Sequence, residues 1–536
     1  MELSLSRRLA ILLGLSVLFV MVTRLPFIPS HLFSFDSVNL ALALEEFDPT
    51  RNQPQPPGYP FFVAEARLLH VLLGAPERIF AVLASLVSAL SVAILYLLGK
   101  RMFSVGVGLT AAGLLFVNPP FWYSGLTSAL RPHLALVPIV VAYFCWRSCQ
   151  GERWCFYAAS LALGLGSGVR PELSLLLLPL WGWTAWKSRD PRLVAVATLL
   201  AGAIFLGWVV VLAIASHGLD RMIPYFFEYM FHQTQSTSVL LDPATSWRRA
   251  AGRAILWTFL GTVPWLWALP LGWRRVRQES EWNQRAVFLA LWFFPVFLFN
   301  LLVHIGDPDQ ALSSIPVLCL VGAFCLKAAD ESLARLWMPP LNESSLATWV
   351  ALIGNLVLFF GQFPVPHRTE PVPQFRGLQS VTDAVLIGVY ESSFARVRWV
   401  EQMADLALKQ VGKLHSDTER PILILWARDG EPVWRKVSHY LPAEKVYALD
   451  EKGDPGAPFS LARLWSGNQI LGSYSGTPPI RVLVPKGGRL IWVIAPASVK
   501  RLEGVVSLTP ADPLYYTDLP MEASPFRYGS FEFVPQ

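Results

Sequence analysis

Four carboxylates and one guanidinium crowd the stretch Phe33–Phe62, FSFDSVNLALALEEFDPTRNQPQPPGYPFF: Asp36, Glu45, Glu46 and Asp48, with Arg51. A carboxylate held where water meets an apolar medium can take the proton from a hydroxyl that must become a nucleophile. Asp36 is the candidate for that task, since it stands at the head of a helical pattern. Ser34 or Asp36 can cap a helix running to about Phe47. Leu40, Leu44 and Phe47 share one face, which suits a membrane surface. Asp36, Asn39, Ala43 and Glu46 fall near another, which suits a cavity. Asp48-Pro49 ends the helix. The prolines of QPQPPGYP then set an extended turn, and Gly58 permits unusual dihedrals there. Each acid also has a plainer reading: Asp36 as a cap, Glu45 and Glu46 as solvated charges, Asp48 as part of its Asp-Pro turn.

The elements that must position this loop are apolar. The 536 residues are 53% hydrophobic and 15% charged, whereas a soluble protein carries roughly 25% charge. The excess lies in runs approaching the ~20 residues that cross a bilayer. An all-α polytopic membrane protein is predicted, with about 11 spans. The first is Leu9 to Val22, behind Arg7 and Arg8, and the rest lie at 79–99, 104–118, 132–147, 154–169, 172–186, 193–215, 254–272, 286–303, 311–327 and 346–361. The first run lacks a small-residue cleavage site and reads as an uncleaved span. Residues Phe61 to Leu73 hold Glu65, Arg67 and His70, too many charges to span, and read as an interfacial helix.

Loop charge orients the spans. Arg7/Arg8, Lys100/Arg101, Arg147/Arg153, Lys187/Arg189/Arg192, Arg274/Arg275/Arg277/Arg285 and Lys327/Arg335 fall on one side. By the positive-inside rule that side, with the N-terminus, is cytoplasmic. The net charge of +6 therefore belongs to these loops and does not point to nucleic acid. Loops 24–78, 119–131, 169–172, 216–253 and 304–310 lie outside, as does the C-terminus after an odd number of spans. Cys145, Cys149, Cys155, Cys319 and Cys325 sit in or beside spans, which argues against a disulfide framework. Cys145 and Cys149 share a helix spacing but have no His beside them, so packing is their expected role.

Composition divides the chain into three. Residues 1–361 form the transmembrane domain, 362–378 a Pro-rich linker, and 379–536 a soluble extracytoplasmic α/β domain. In the last, Pro421–Ala427 reads as a buried strand and Glu431–Tyr440 as a helix. Ile480–Pro485 and Arg489–Ala495, separated by KGG, read as a hairpin.

Topology and loop together resemble the GT-C glycosyltransferases, especially the bacterial RgtA/B/C/D-type and protein O-mannosyltransferase-type enzymes. The likeness rests on Asp36-Ser37…Leu40-Ala41…Ala43, on Pro56-Pro57-Gly58-Tyr59-Pro60, on LYLLGKRMF at the end of the following span, on NPPFWYSG (Asn118–Gly125) and on VRPELSLLLLPLWGW (Val169–Trp183). It covers roughly residues 1–330. What it implies is a GT-C fold, a polyprenyl-phosphate sugar as donor and a glycan, lipid or protein hydroxyl as acceptor. Asp36 would be the catalytic base of an inverting transfer on the outer face of a bacterial-type inner membrane. The departing phosphate needs hydrogen-bond donors or positive charge. Arg131, His133, Arg170 and His304 are the candidates, and Tyr59, Glu46 and Asp48 join them as substrate-binding residues. Plainer readings stand beside these: Arg131 as a headgroup anchor, Arg170 as a partner of Glu172, both histidines as structural, and Asp307 and Asp309 as shaping the GDPD turn. Gln53 and Gln55 stand where relatives often have His. Asp-Ser replaces the acidic pair of some relatives, which argues against assuming a metal, and no cofactor is called for. Competing classes are a transporter or flippase of polyprenyl-linked glycans and a non-catalytic membrane scaffold. The absence of an evident internal repeat weighs against the transporter.

Overall fold

The computed structural model describes residues 5–128, 130–235, 238, 240, 247–277, 279, 281–337, 345–363, 381–427, 433–452, 461–466, 469–474, 479–494 and 499–536. Most of the expected linker, 362–378, falls outside them. The described residues gather into two compact units. One takes in the chain up to Pro29, then Leu40 onward through the apolar helices, and the stretch ending at Val397. The other takes in Ser30–Asn39 and the residues from Arg398 to Gln536.

The first unit is helical. Its elements are α1 (Leu5–Arg24), most of α2 (Phe35–Glu45), α3 (Pro60–Leu73), α4 (Pro76–Met102), α5 (Val105–Val117), α6 (Pro119–Thr127), α7 (His133–Cys149), α8 (Trp154–Val169) and α9 (Pro171–Ser188). There follow α10 (Pro191–Ala215), α11 (Leu219–Gln235), α12 (Trp247–Phe259), α13 (Leu269–Val276), α14 (Trp282–Leu302), α15 (Ile315–Trp337), α16 (Leu346–Phe360) and α17 (Val381–Glu391). The apolar runs expected to span fall on these helices, except that the run at 254–272 passes through a 3₁₀ stretch, Leu260–Ala268, and the run at 311–327 begins on the 3₁₀ turn Pro308–Ser313. Among the described residues, four stretches are long and apolar enough to cross a membrane: Pro76–Met102, Pro191–Ala215, Ala251–Val276 and Trp282–Leu302. The bent pair α5–α6 is a fifth if it crosses as one, and α7, α8, α16 and Gly14–Phe27 are shorter apolar helices. The chain is an integral membrane protein.

Proline placement explains the breaks. Asn118 precedes two prolines and is held extended, φ −60° and ψ 127°, so α5 stops at Val117. Pro119 and Pro120 then open α6, where a missing N–H costs nothing, and the axis turns by 55°. Arg170 before Pro171 separates α8 from α9 in the same way, at φ −152° and ψ 108°. Elsewhere polar caps start helices: Ser104 Oγ accepts from the Val107 N–H, and Asp190 accepts from the N–H groups of Arg192 and Leu193.

Small residues bring helices together. A Cβ on Gly108 would lie 2.6 Å from the Tyr96 carbonyl oxygen and 2.8 Å from the Lys100 nitrogen, so α4 and α5 touch backbone to backbone. Arg24 ends α1 fully buried. It donates from Nη2 to the Phe116 carbonyl at 3.1 Å, and its guanidinium lies 3.9 Å from the Trp122 ring. Among the helices not expected to span, α3 and α11 keep an outward apolar stripe: Leu68, Val71 and Leu72 on the first, and Ile223, Phe227 and Met230 on the second. The first is the helix expected at Phe61–Leu73. The second lies in the stretch 216–253, which the sequence marks only as a loop.

The second unit is α/β. The sheet runs β4 (Gln469–Tyr474), β3 (Leu461–Ser466), β2 (Val446–Lys452), β1 (Ile422–Ala427), β6 (Arg489–Ile494), β8 (Leu514–Asp518), β7 (Thr509–Ala511). β1 is parallel to both neighbours, in register Ile424↔Val446 and Ile422↔Arg489, while the outer pairs are antiparallel. Parallel β1 and β2 need a crossover, supplied by α19 (Trp434–Tyr440). α18 (Phe394–Ser416) packs on the β1 side through Val411 and Leu414. A strand, Ile422–Ala427, and a helix, Trp434–Tyr440, fall within the stretches expected for them, though Glu431 and Pro432 of the expected helix lie outside the described residues. The hairpin is not. β5 (Ile480–Val484) joins a separate three-stranded sheet with β10 (Phe531–Pro535) and β9 (Phe526–Tyr528). β5 finds its partner at the end of the chain, a pairing that local turn chemistry does not reveal.

Candidate active site

Asp36 lies in the first turn of α2, within the second unit. The cap is Ser34: its Oγ accepts from the Ser37 N–H at 3.2 Å, the third residue of the helix. Asp36 is one residue inside the helix, half-buried, where the helix dipole favours a negative charge. Its reading as a mere cap is thereby corrected.

The rest of the loop is in the first unit and is tightly self-bonded. The Asp48 and Gln53 backbones form a bridge, N–H to O, at 2.7 and 3.0 Å. Asp48, buried, accepts from the Thr50 N–H at 3.0 Å and its hydroxyl at 2.7 Å, with His217 Nε2 3.6 Å away. Glu46 grips Arg51 Nη1 at 2.7 and 2.8 Å. Tyr59, buried at φ 47°, donates its hydroxyl to the Pro56 carbonyl at 3.4 Å. Gly58 sits at φ 89°. A side chain there would also meet Leu212 Cδ2 at 2.5 Å, so only glycine fits. Gln53 and Gln55 are both buried.

A second group forms where the first unit's helices begin and end. His133, at the start of α7, bonds through Nε2 to Glu65 of α3 at 3.1 Å and through Nδ1 to the Leu130 carbonyl at 3.0 Å. Arg131 is 8% exposed, which rules against a headgroup anchor. Its Nη2 lies 3.6 Å from Asp307 and its Nε 3.7 Å from Asp309. Asp309 is buried on the 3₁₀ turn Pro308–Ser313, while Asp307 is exposed. Arg170, held at its proline corner, meets Glu172 at 2.5 Å, as its plainer reading expects. His304 approaches Gln310 Nε2 at 3.2 Å. Arg170, Glu172, His304 and Gln310 line one small cleft with Asn300 and Phe299. Burial, together with the guanidinium groups of Arg170 and Arg131, pushes His304 down to about 4. It is a neutral imidazole at pH 7.

This second cluster therefore holds two guanidinium groups beside carboxylates, with His304 a neutral imidazole. Such a set can share donors with an incoming phosphate. Glu65, Asp309 and Gln310 were not singled out as site residues from sequence. The His133 and Arg131 partnerships join segments far apart in the chain, and only the GDPD turn hinted at them. Arg253 with Glu391 at 3.3 Å is a further, half-buried pair. Among the described residues no group of three or more His, Cys, Asp or Glu side chains is placed to hold a metal ion. The five cysteines are free thiols.

Residues 54–216 match the family model described as dolichyl-phosphate-mannose-protein mannosyltransferase. No curated protein matches the chain. The fold is like that of ArnT from Cupriavidus metallidurans bound to undecaprenyl phosphate, with a TM-score of 0.56, 15% identity, and coverage of 95% of this chain and 97% of that one. ArnT in the apo state gives 0.55 at 15%, covering 96% and 98%. The apo oligosaccharyltransferase of Archaeoglobus fulgidus is a more distant likeness, with a TM-score of 0.41 and 12% identity over 81% of this chain and 63% of that one. The resemblance read from Asp36-Ser37 and the PPGYP turn thus holds at the level of architecture: the chain has the GT-C fold of membrane glycosyltransferases, a polytopic helical domain followed by an α/β domain.

Proposed function

We propose that the chain moves a sugar from a polyprenyl-phosphate carrier to a hydroxyl acceptor at the extracytoplasmic face of the membrane, with its N-terminus cytoplasmic and its α/β domain outside. The observation that carries this reading is the whole-length likeness to ArnT, whose structure is described as bound to undecaprenyl phosphate. The dolichyl-phosphate description of the family model over 54–216 supports a donor of the same kind.

In this reading Asp36 accepts the proton of the acceptor hydroxyl. The acceptor oxygen attacks the anomeric carbon, the bond from that carbon to the phosphate oxygen breaks, and the configuration inverts. The polyprenyl phosphate leaves with the electron pair. Arg131 and Arg170 receive that charge, each sharing donors between its carboxylate and the phosphate. His304, neutral, hydrogen-bonds rather than attracts, and His133, tied to Glu65, fixes the start of α7. Glu46, Asp48 and Tyr59 shape the loop that borders the substrate. No step calls on a metal or cofactor.

The test is transfer by the purified full-length protein from undecaprenyl-phosphate sugars, scored by mass spectrometry of acceptor glycans and lipid carriers. Asp36→Asn is expected to lower kcat by about 100-fold or more while donor binding persists. Unchanged turnover in Asp36→Asn, or no transfer to any acceptor by the wild type, overturns the reading.

A further inference from the structure

The α/β unit contains a segment that does not belong to it by sequence position: Ser30–Asn39, which carries Asp36. Its anchors lie on two helices. Glu401 on α18 accepts from the Ser30 N–H at 3.0 Å and bonds His31 Nδ1 at 2.9 Å. On α19, the Tyr440 hydroxyl accepts from the Leu32 N–H at 2.7 Å, and the Trp434 ring stands edge-on to Phe35 at 5.9 Å.

Two cations complete the seat, and both are 1% exposed. Arg435 donates from Nη1 to Asn39 Oδ1, and its guanidinium lies 4.6 Å from the Phe35 ring. Lys436 lies 5.7 Å from the Phe33 ring. Burying a guanidinium and an ammonium side by side is costly, and a scaffold needing only shape would use apolar side chains of similar volume. What Arg435 gains is a place beside the start of α2, and Lys436 gains one beside Phe33, two residues before that helix. Phe35, Asp36 and Asn39 fall within the first five residues of α2, and Arg435 holds two of the three.

We infer that α19 is part of the catalytic apparatus: Arg435 is a positioning residue that fixes the Asp36-bearing turn, and with Lys436 it keeps that turn in positive surroundings. The inference rests on Asp36 being the base, as proposed above. It gives the α/β domain a direct share in the chemistry. Holding a base to a fraction of an ångström matters because misplacement by about 1 Å can cost about 100-fold in rate. A nearby buried cation also favours the ionised carboxylate, the form that accepts a proton.

The experiment uses the full-length protein in lipid nanodiscs with Arg435→Met, Arg435→Lys, Lys436→Met, Asn39→Ala and Tyr440→Phe, and Arg481→Gln as an exposed control on β5. Arg435→Met is expected to lower kcat by about 10- to 100-fold with KM within about threefold. The acid limb of its kcat/KM profile should move up by about half a pH unit or more, and Lys436→Met should move it likewise. Arg435→Lys restores the limb and part of kcat. Asn39→Ala adds little on top of Arg435→Met, because both remove the same contact. Amide exchange adds a readout independent of turnover: peptides covering 30–40 exchange faster in Arg435→Met and in the milder Tyr440→Phe, while those from β1 and β6 stay protected. Wild-type kcat, an unmoved acid limb and unchanged protection of 30–40 in Arg435→Met overturn the inference. So does a loss of protection spread equally over β1 and β6 in both Arg435→Met and Tyr440→Phe. If the wild type transfers no sugar, it is the functional reading that fails, and the exchange arm still decides whether α19 seats the segment.

Discussion

Asp307 and Asp309 approach Arg131 almost equally, at 3.6 and 3.7 Å, yet their loss is expected to differ sharply. The Asp309 side chain is 6% exposed and that of Asp307 58%. At an effective dielectric of about 20, suited to a buried site, a unit pair 3.7 Å apart is worth about 4.5 kcal/mol, whereas near the bulk-water value a pair at 3.6 Å is worth about 1 kcal/mol. Desolvation and screening reduce both, to roughly 2–3 kcal/mol for Asp309 and under about 1 kcal/mol for Asp307. Asp309→Asn removes a buried charge facing Arg131; Asp307→Asn removes a screened one. The assay is thermal unfolding of full-length protein followed by tryptophan fluorescence, beside initial transfer rates. Asp309→Asn should lower the midpoint by about 4 °C or more, and Asp307→Asn by about 2 °C or less. The double variant with Arg131→Met should recover much of the loss, since no buried charge is then stranded. Equal effects of the two aspartates, or no recovery in the double variant, would refute the assignment of Arg131 to a low-dielectric site.

Two further outcomes are expected. Gly108→Ala puts a Cβ 2.6 Å from the Tyr96 carbonyl and should cost about 1–3 kcal/mol through separation of α4 from α5, read as a lower midpoint and a lower folded yield; Gly182→Ala, with open space around it, should not. His304, held at about 4, is neutral in both folded and unfolded chains above its ordinary pKa near 6.5. Between 6.5 and 4 the unfolded chain binds the extra proton, so His304 weakens the fold increasingly as pH falls through that window. His304→Gln should flatten the stability profile there and leave it unchanged above pH 7.

The legible parts of this chain were those where local pattern and tertiary outcome agree. Apolar runs fixed the helices because a bilayer-facing helix needs no partner to declare itself. Asn118-Pro119-Pro120 and Arg170-Pro171 marked breaks that the structure shows as corners. Asp36 and the PPGYP turn drew attention through residue types alone. What stayed hidden was pairing at a distance. Nothing near His133 announces Glu65, nothing near Arg131 singles out the buried Asp309 over the exposed Asp307, and no local feature ties residues 30–39 to α19. The cap at Ser34 was undecided because Ser and Asp cap equally well; only the Ser37 N–H bond settles it. KGG at 486–488 suggested a hairpin because turn chemistry is local, whereas the partner of β5 is the chain's last strand.

The buried Arg24 has a consequence for biogenesis. A helix interrupted inside hydrocarbon leaves carbonyl oxygens with no water to satisfy them, and the Phe116 carbonyl, just before the interruption at Asn118, is served by a side chain from α1. The bend can therefore mature only once α1 is alongside. A ribosome-bound intermediate carrying Arg24→Leu should linger with the insertion machinery as α5 and α6 emerge, and membrane quality control, rather than any enzymatic readout, is where the defect should first be seen.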